Sequence, residues 1–298
     1  MVVPAASPFS VKASGASAGV FCGGAGNNKL VMLSGNQVIS SVDGQTFNTR
    51  TLPVSASWSG RVSYGNGVFV AVASGSATAI SSADGEVWTQ QALPLSQTWY
   101  SCAFGAGIHL AAAGSVNYAT TVDGVNWVQR AFPSAGSFTA VLYAFGQFWA
   151  FMAGNSACYT SVDGKTGWVS KSLPLAGNWE PHSMVMSSGK LLLLSNNNNT
   201  LLVTSDGVSW QTVALPVLPV SQSWRAVFGY AGGYAVVASN GNTCYTSQDL
   251  VNWSYRPLPF NGSCFIASVN SLWVIASSTS PQIAISNPNA FDIVYPIK

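Results

Sequence analysis

A short acidic box recurs six times along this chain, and it constrains the fold more than any other feature. The copies are Ser41-Val-Asp43-Gly-Gln-Thr-Phe47, Ser82-Ala-Asp84-Gly-Glu-Val-Trp88, Thr121-Val-Asp123-Gly-Val-Asn-Trp127, Ser161-Val-Asp163-Gly-Lys-Thr-Gly-Trp168, Thr204-Ser-Asp206-Gly-Val-Ser-Trp210 and Ser247-Gln-Asp249-Leu-Val-Asn-Trp253. Their aspartates stand 41, 39, 40, 43 and 43 residues apart. An apolar-Pro junction follows each box, at Leu52-Pro53, Leu93-Pro94, Phe132-Pro133, Leu173-Pro174, Leu215-Pro216 and Leu258-Pro259. A seventh junction, Tyr295-Pro296, follows a decayed box at Ser286–Phe291, so 298 residues divide into seven units of about 43.

Each unit repeats one internal order. In the second, Trp58 opens a short strand over Arg61 to Tyr64, and Gly65-Asn66-Gly67 turns the chain. Val68 to Ala73 reads as a fully buried strand, Ala79 to Ser81 enters the box, and Trp88 to Leu93 leaves it as a fourth strand. Short strands separated by Gly/Asn turns every 8–12 residues or so signal an all-β chain. No window carries a 3.6-residue apolar period. Four strands per unit, repeated radially at about 40–45 residues, specify a β-propeller. The expectation is a single seven-bladed propeller over residues 17–298, with six blades the alternative if the decayed unit forms none. Residues 1–16 make a polar N-terminal segment that either closes the ring by pairing with the last blade or reaches a partner; Val3-Pro4 echoes the junctions and favours closure.

The boxes resemble the Asp-box, or bacterial neuraminidase repeat, with pattern Ser/Thr-x-Asp-(x)-Gly-x-x-Trp/Phe. Departures are Leu250 in place of Gly, an extra residue before Trp168, and Phe47 in place of Trp. The resemblance implies that each box is the turn between third and fourth strands, on the rim away from the functional face. Physical chemistry agrees: Asp and Ser oxygens accept backbone N–H bonds in a tight turn, and Gly permits positive φ. Asp43, Asp84, Asp123, Asp163, Asp206 and Asp249 are therefore expected to be structural.

Asp-box families include sialidases and other glycoside hydrolases, which work with two carboxyl groups or a tyrosine nucleophile supported by a glutamate. Of nine acidic residues here, six are box aspartates and Glu86 lies inside a box. Only Glu180 and Asp292 remain. The resemblance to sialidases would also imply three arginines gripping a substrate carboxylate, but Arg50, Arg130 and Arg256 fall on outer strands and leave Arg61 and Arg225 near the channel. His109 and His182 sit in different units without a triad or zinc-spaced partner. Gly23-Gly-Ala-Gly26 lacks the strand-loop-helix setting of a phosphate loop. The expectation is a non-enzyme with no cofactor and no metal.

Composition narrows the partners. Charged residues are only 7% of the chain, against about 25% in ordinary domains, and the net charge is +2. Scattered cations release few counterions, so nucleic acid is not an expected partner. The longest apolar run, Leu191 to Leu194, is too short to span a bilayer, and the N-terminus has no signal-peptide pattern. Five cysteines (Cys22, Cys102, Cys158, Cys244, Cys264) show no ligand or disulfide spacing and read as small buried hydrophobes. A second aromatic series, Trp58, Trp99, Phe138, Trp179 and Trp224, stands five to eight residues after the junction prolines. It is the candidate binding ring, whose flat faces would suit a glycan, with interblade packing as the competing role. An uncharged Ser/Gly/Asn-rich β chain is similar in composition to bacteriophage virion proteins, which fold in host cytoplasm. A virion structural or receptor-binding protein is the leading expectation, with other virion proteins or a host surface glycan as partners. A non-viral lectin or protein-interaction scaffold, working extracellularly, is the alternative, and a sialidase-like hydrolase comes third.

Overall fold

A computed structural model describes residues 9–286, apart from 18, 21, 59, 197, 219–221, 231–232, 263–264 and 270–271. Val3-Pro4, Cys264, Asp292 and the Tyr295-Pro296 junction lie outside the described residues. The fold is all-β and propeller-like, built from five antiparallel sheets of four strands and one of seven. The first sheet is typical: Cys22–Gly26, Lys29–Ser34, Gln37–Ser41 and Asn48–Thr51 pair in sequence order. The innermost strands of neighbouring sheets lie side by side round the molecule and surround a central channel.

Local chemistry explains the hairpins. The first two strands of a unit are joined by two-residue turns in which both residues have positive φ: Asn27-Asn28, Asn66-Gly67, Ala106-Gly107, Phe145-Gly146 and Ser188-Gly189. That is the mirror-image turn whose twist matches a hairpin. Second strands such as Ile108–Ala113 are buried along their whole length because a neighbouring sheet covers each face. Fourth strands such as Val128–Ala131 and Gln211–Ala214 are mostly exposed. Polarity therefore rises from channel to rim.

The seven-stranded sheet comes from one long strand, Thr89–Gly105. Its first part, up to Thr98, pairs with Ser74–Ser82, and from Trp99 onward it pairs with Ile108–Ala113. The Leu93-Pro94 junction thus lies within an unbroken strand that serves two units. At the other end of the chain, Phe9–Ala13 pairs antiparallel with Gln282–Ser286. It supplies the outer strand of the sheet that also holds Phe265–Val269 and Leu272–Ala276, so strands from both ends of the described chain share one sheet.

The six boxes form turns with the same set of hydrogen bonds. Asp123 Oδ1 accepts from the backbone N–H groups of Val125 (2.9 Å) and Asn126 (2.8 Å) and from the Thr121 hydroxyl (2.9 Å). The Thr121 oxygen in turn accepts from the Gly124 N–H at 3.0 Å. These backbone donors hold the box carboxyls well below the usual aspartate range, as they do at Asp163 against an opposing desolvation by burial. Gly124 needs its φ of +75°, and a Cβ there would lie 2.9 Å from Val70 of the preceding unit. Leu250 occupies the same position with φ +66°, a conformation costly for a side chain. Its buried side chain joins the cluster of Val203, Leu215 and Val236, which offsets the strain. Asp123→Ala is expected to lower the melting temperature by about 2–4 °C, with Asp123→Asn intermediate, in parallel thermal melts.

Glycines also explain what Gly23-Gly-Ala-Gly26 does. It is an inner strand, and a Cβ on Gly24 would sit 2.0 Å from the Val62 carbonyl oxygen. Its bareness lets the Val62 N–H reach the Gly23 carbonyl at 3.0 Å and joins two inner strands. The four described cysteines are buried and unbridged. Burial pushes the Cys102, Cys158 and Cys244 thiols up to about 12.

Candidate functional site

The hairpin order puts the boxes and the first-to-second-strand turns at one end of each sheet. The junctions and the second-to-third-strand turns lie at the other end, where the inner strands begin. That end opens as a cavity of about 470 Å³ to which five successive units contribute. Its walls carry Tyr100, Thr139, Asn178, Glu180, His182 and Arg225, and Trp58 and Trp179 also line it.

The aromatic series does not present faces there. Trp58 is 4% exposed, Trp179 and Trp224 1%, and Trp99 and Phe138 0%. The expected glycan-stacking platform is replaced by a clamp between units. Each indole N–H donates back to the preceding unit: Trp58 to the Gly35 carbonyl (2.7 Å), Trp99 to Ser76 (3.0 Å), Trp179 to Asn155 (2.9 Å) and Trp224 to Asn199 Oδ1 (3.1 Å). Acceptor and donor are 23 to 25 residues apart in all four. Phe138 has no such donor and instead stacks on Phe132 with ring centroids 3.9 Å apart. Asn199, the last of four consecutive asparagines, is thereby a structural acceptor.

After Trp99, Phe138, Trp179 and Trp224 the next residue, Tyr100, Thr139, Glu180 or Arg225, lines the cavity. In three units the strand register slips there. Ala113 pairs with Trp99 and Ala112 with Ser101, leaving Tyr100 unpaired between them. Thr139 and Arg225 are skipped in the same way, between Phe138 and Ala140 and between Trp224 and Ala226. Such bulges re-aim one side chain out of the ladder. Tyr100 is 36% exposed beside a 0% exposed Trp99, and a Cβ on Gly114 would lie 2.4 Å from its ring, so that glycine makes room for it. In the fifth unit the strand gives way to a 3-10 turn, Pro181–Ser183, led by Glu180. The Glu180 carboxylate pairs with Arg225 across two units, and the Thr139 hydroxyl donates to the Trp179 carbonyl at 2.6 Å.

Of the residues weighed as catalytic, Glu180 is thus ion-paired at the mouth. Glu86 is tied at the outer rim by Lys29 and Arg50, each at 2.8 Å. His109 is fully buried, with Nδ1 2.7 Å from the Ser63 hydroxyl and Nε2 3.3 Å from the Gly65 carbonyl. The Nε2–H donates to that carbonyl, so Nδ1 accepts from Ser63. Burial pushes this imidazole down to about 4. His182 lines the mouth and is 6% exposed. Among the described residues no cluster of His, Cys, Asp or Glu could hold a metal ion, and no helix is long and apolar enough to cross a membrane.

No family model and no curated protein sequence matches the chain. Solved structures do. A YCF48 bound to D1 peptide is 16% identical with a TM-score of 0.70, over 95% of this chain and 96% of that one. A streptogramin B lyase structure is 12% identical with a TM-score of 0.77, covering 94% and 97%. A selenomethionine-substituted virginiamycin B lyase from Staphylococcus aureus is 11% identical with a TM-score of 0.78, covering 94% and 99%. At these identities what the chain shares with them is the fold: an all-β, propeller-like ring that serves, in those proteins, peptide binding in one and lyases in the others.

Proposed function

We propose that the protein is a non-catalytic interaction scaffold that captures an extended peptide segment of a partner at the channel mouth. The observation that carries this reading is the set of bulged residues, Tyr100, Thr139 and Arg225, delivered to one cavity by three units. A half-exposed phenol, a hydroxyl and an ion pair of both signs suit the mixed polarity of a peptide. With the indoles buried, Tyr100 is the one exposed aromatic ring among the described residues of the cavity wall, so a peptide is favoured over a glycan. The similarity to a YCF48 bound to D1 peptide supports a ring of this shape accepting such a ligand. Glu180 held by Arg225 is poorly placed to act as a general acid, which supports the absence of catalysis.

Two finer readings belong to the same proposal. We count seven blades, because the strand Thr89–Gly105 changes partner at Thr98/Trp99 and so serves as the outer strand of one blade and the inner strand of the next. We read the six boxes as Asp-box turns on the strength of their identical Ser/Thr–Asp–backbone bonding. A place on a bacteriophage particle rests on composition alone, whereas the scaffold reading rests on the mouth.

The test is selection of a displayed peptide library on the wild-type protein, run beside a glycan array, with a Tyr100→Ser/Arg225→Gln double variant as control. The expected result is peptides that bind the wild type and lose at least tenfold in affinity on the folded double variant. Glycan binding without peptide binding would move the assignment to a lectin. Turnover of any bound ligand would contradict a non-catalytic role.

A further inference from the structure

Below the mouth lies a second cavity of about 280 Å³ with a different chemistry. It follows directly on the first: Gly60 and His182 line the mouth, while Arg61 and Met184 line the deeper space. Phe104, Val141, Leu142, Val185 and Met186 share its wall with the polar groups of Arg61, Ser63, Tyr64 and Tyr143, and none of the residues lining it is acidic. Arg61 is the cation in it. Its guanidinium donates one hydrogen bond, to the Met184 carbonyl of a unit far along the chain.

The remaining N–H donors of that fork have no carboxylate to meet among the described residues. Among the described residues, the ion pairs are Lys29 and Arg50 with Glu86 and Arg225 with Glu180. The box aspartates are committed to their own turns at the opposite end of the sheets. Ser63, which shares the cavity wall, has its hydroxyl engaged by His109 at 2.7 Å. Removal from water lowers the Arg61 pKa to about 10, so it stays charged at neutral pH. A charge taken out of water without a counter-charge among the described residues is costly, and a planar guanidinium is shaped to take two oxygens at once.

We propose that this cavity is an oxyanion site in which Arg61 grips a carboxylate, sulfate or phosphate group. The group arrives either as a free ion or as the end of a ligand that enters from the mouth. The ion needs none of the mouth residues, so the site stands whether or not a peptide binds above it.

The experiment measures thermal stability and calorimetric binding of the purified protein with sodium acetate, malonate, sulfate and phosphate, each against sodium chloride at equal ionic strength. The expected result is a saturable rise in melting temperature with at least one oxyanion and none with chloride. Arg61→Met should lose at least tenfold in that affinity yet melt no lower than the wild type without anion, because methionine suits a wall of Met184, Val185 and Met186. Arg61→Lys, which keeps the charge and loses the fork, should weaken binding several-fold, and Arg130→Met on an outer strand should leave it intact. Preference for acetate or malonate supports the site with a carboxylate ligand; preference for sulfate or phosphate supports it with a tetrahedral one. No oxyanion effect beyond chloride, or an equal effect in Arg61→Met, overturns the proposal. Should Arg61→Met fail to fold, wild-type affinity in Arg61→Lys overturns it instead. Selenate soaked into crystals should give anomalous density beside Arg61, and density only at other places would contradict the assignment.

Discussion

Trp99→Ala is expected to destabilise the protein by about 3–5 kcal/mol, the range for emptying a large aromatic site in a core. The indole is fully buried within a cluster of Val70, Val72, Leu93, Cys102 and Ala111, and these come from two adjoining units. Its N–H bonds lie at 3.0 Å to Ser76 and 3.3 Å to Leu95, so its removal also takes the indole donor from two partly buried carbonyls. Trp99→Phe separates the two contributions. It keeps most of the apolar volume, loses the hydrogen bond, and should cost about 1–3 kcal/mol. Urea unfolding followed by the remaining tryptophans measures both. If Trp99→Ala unfolds at the wild-type denaturant midpoint, the ring is not the clamp described here.

The second large effect is a loss of stability in mild acid. His109 is neutral in the folded protein because burial lowers its pKa from an ordinary 6.5 to about 4. Between those values the unfolded chain binds a proton that the folded chain refuses. Stability is therefore full above about pH 6.5 and falls as pH drops toward 4, by about 3 kcal/mol in total. Below that, the box carboxyls add to the loss, because their depressed pKa values favour the fold only while they are ionised. Denaturant melts from pH 8 to pH 4 read the slope, and His109→Gln should flatten the upper part of it. An unchanged slope in that variant would assign the acid sensitivity to other groups.

The division between legible and hidden features follows from the range over which each is determined. The boxes and hairpin turns are settled within a few residues: Asp123 bonds to donors two and three positions on, and Asn66-Gly67 adopts the φ values its types favour. Four strands per unit and the radial repeat were therefore readable. The orientation of the second aromatic series was not. Alternation along a strand fixes side-chain faces only where the register is regular, and the register slips at Tyr100, Thr139 and Arg225. One position separates a buried Trp99 from an exposed Tyr100. The Asn155 and Asn199 acceptors depend on contacts between units and leave no local trace. Arg61 and Arg225 could be placed near the channel from unit position, but which of them has a carboxylate partner is visible only in three dimensions.

The division of labour between adjacent residues is also the most direct point of test. Tyr100→Ser and Trp99→Phe should be compared for melting temperature and for affinity toward a peptide selected on the wild type. Tyr100→Ser is expected to melt within about 2 °C of the wild type, because its ring is partly exposed, and to lose at least tenfold in affinity. Trp99→Phe should melt lower and bind normally while folded. Undiminished binding in Tyr100→Ser, with loss in a folded Trp99→Phe, would contradict the assignment of the clamp and the binding face.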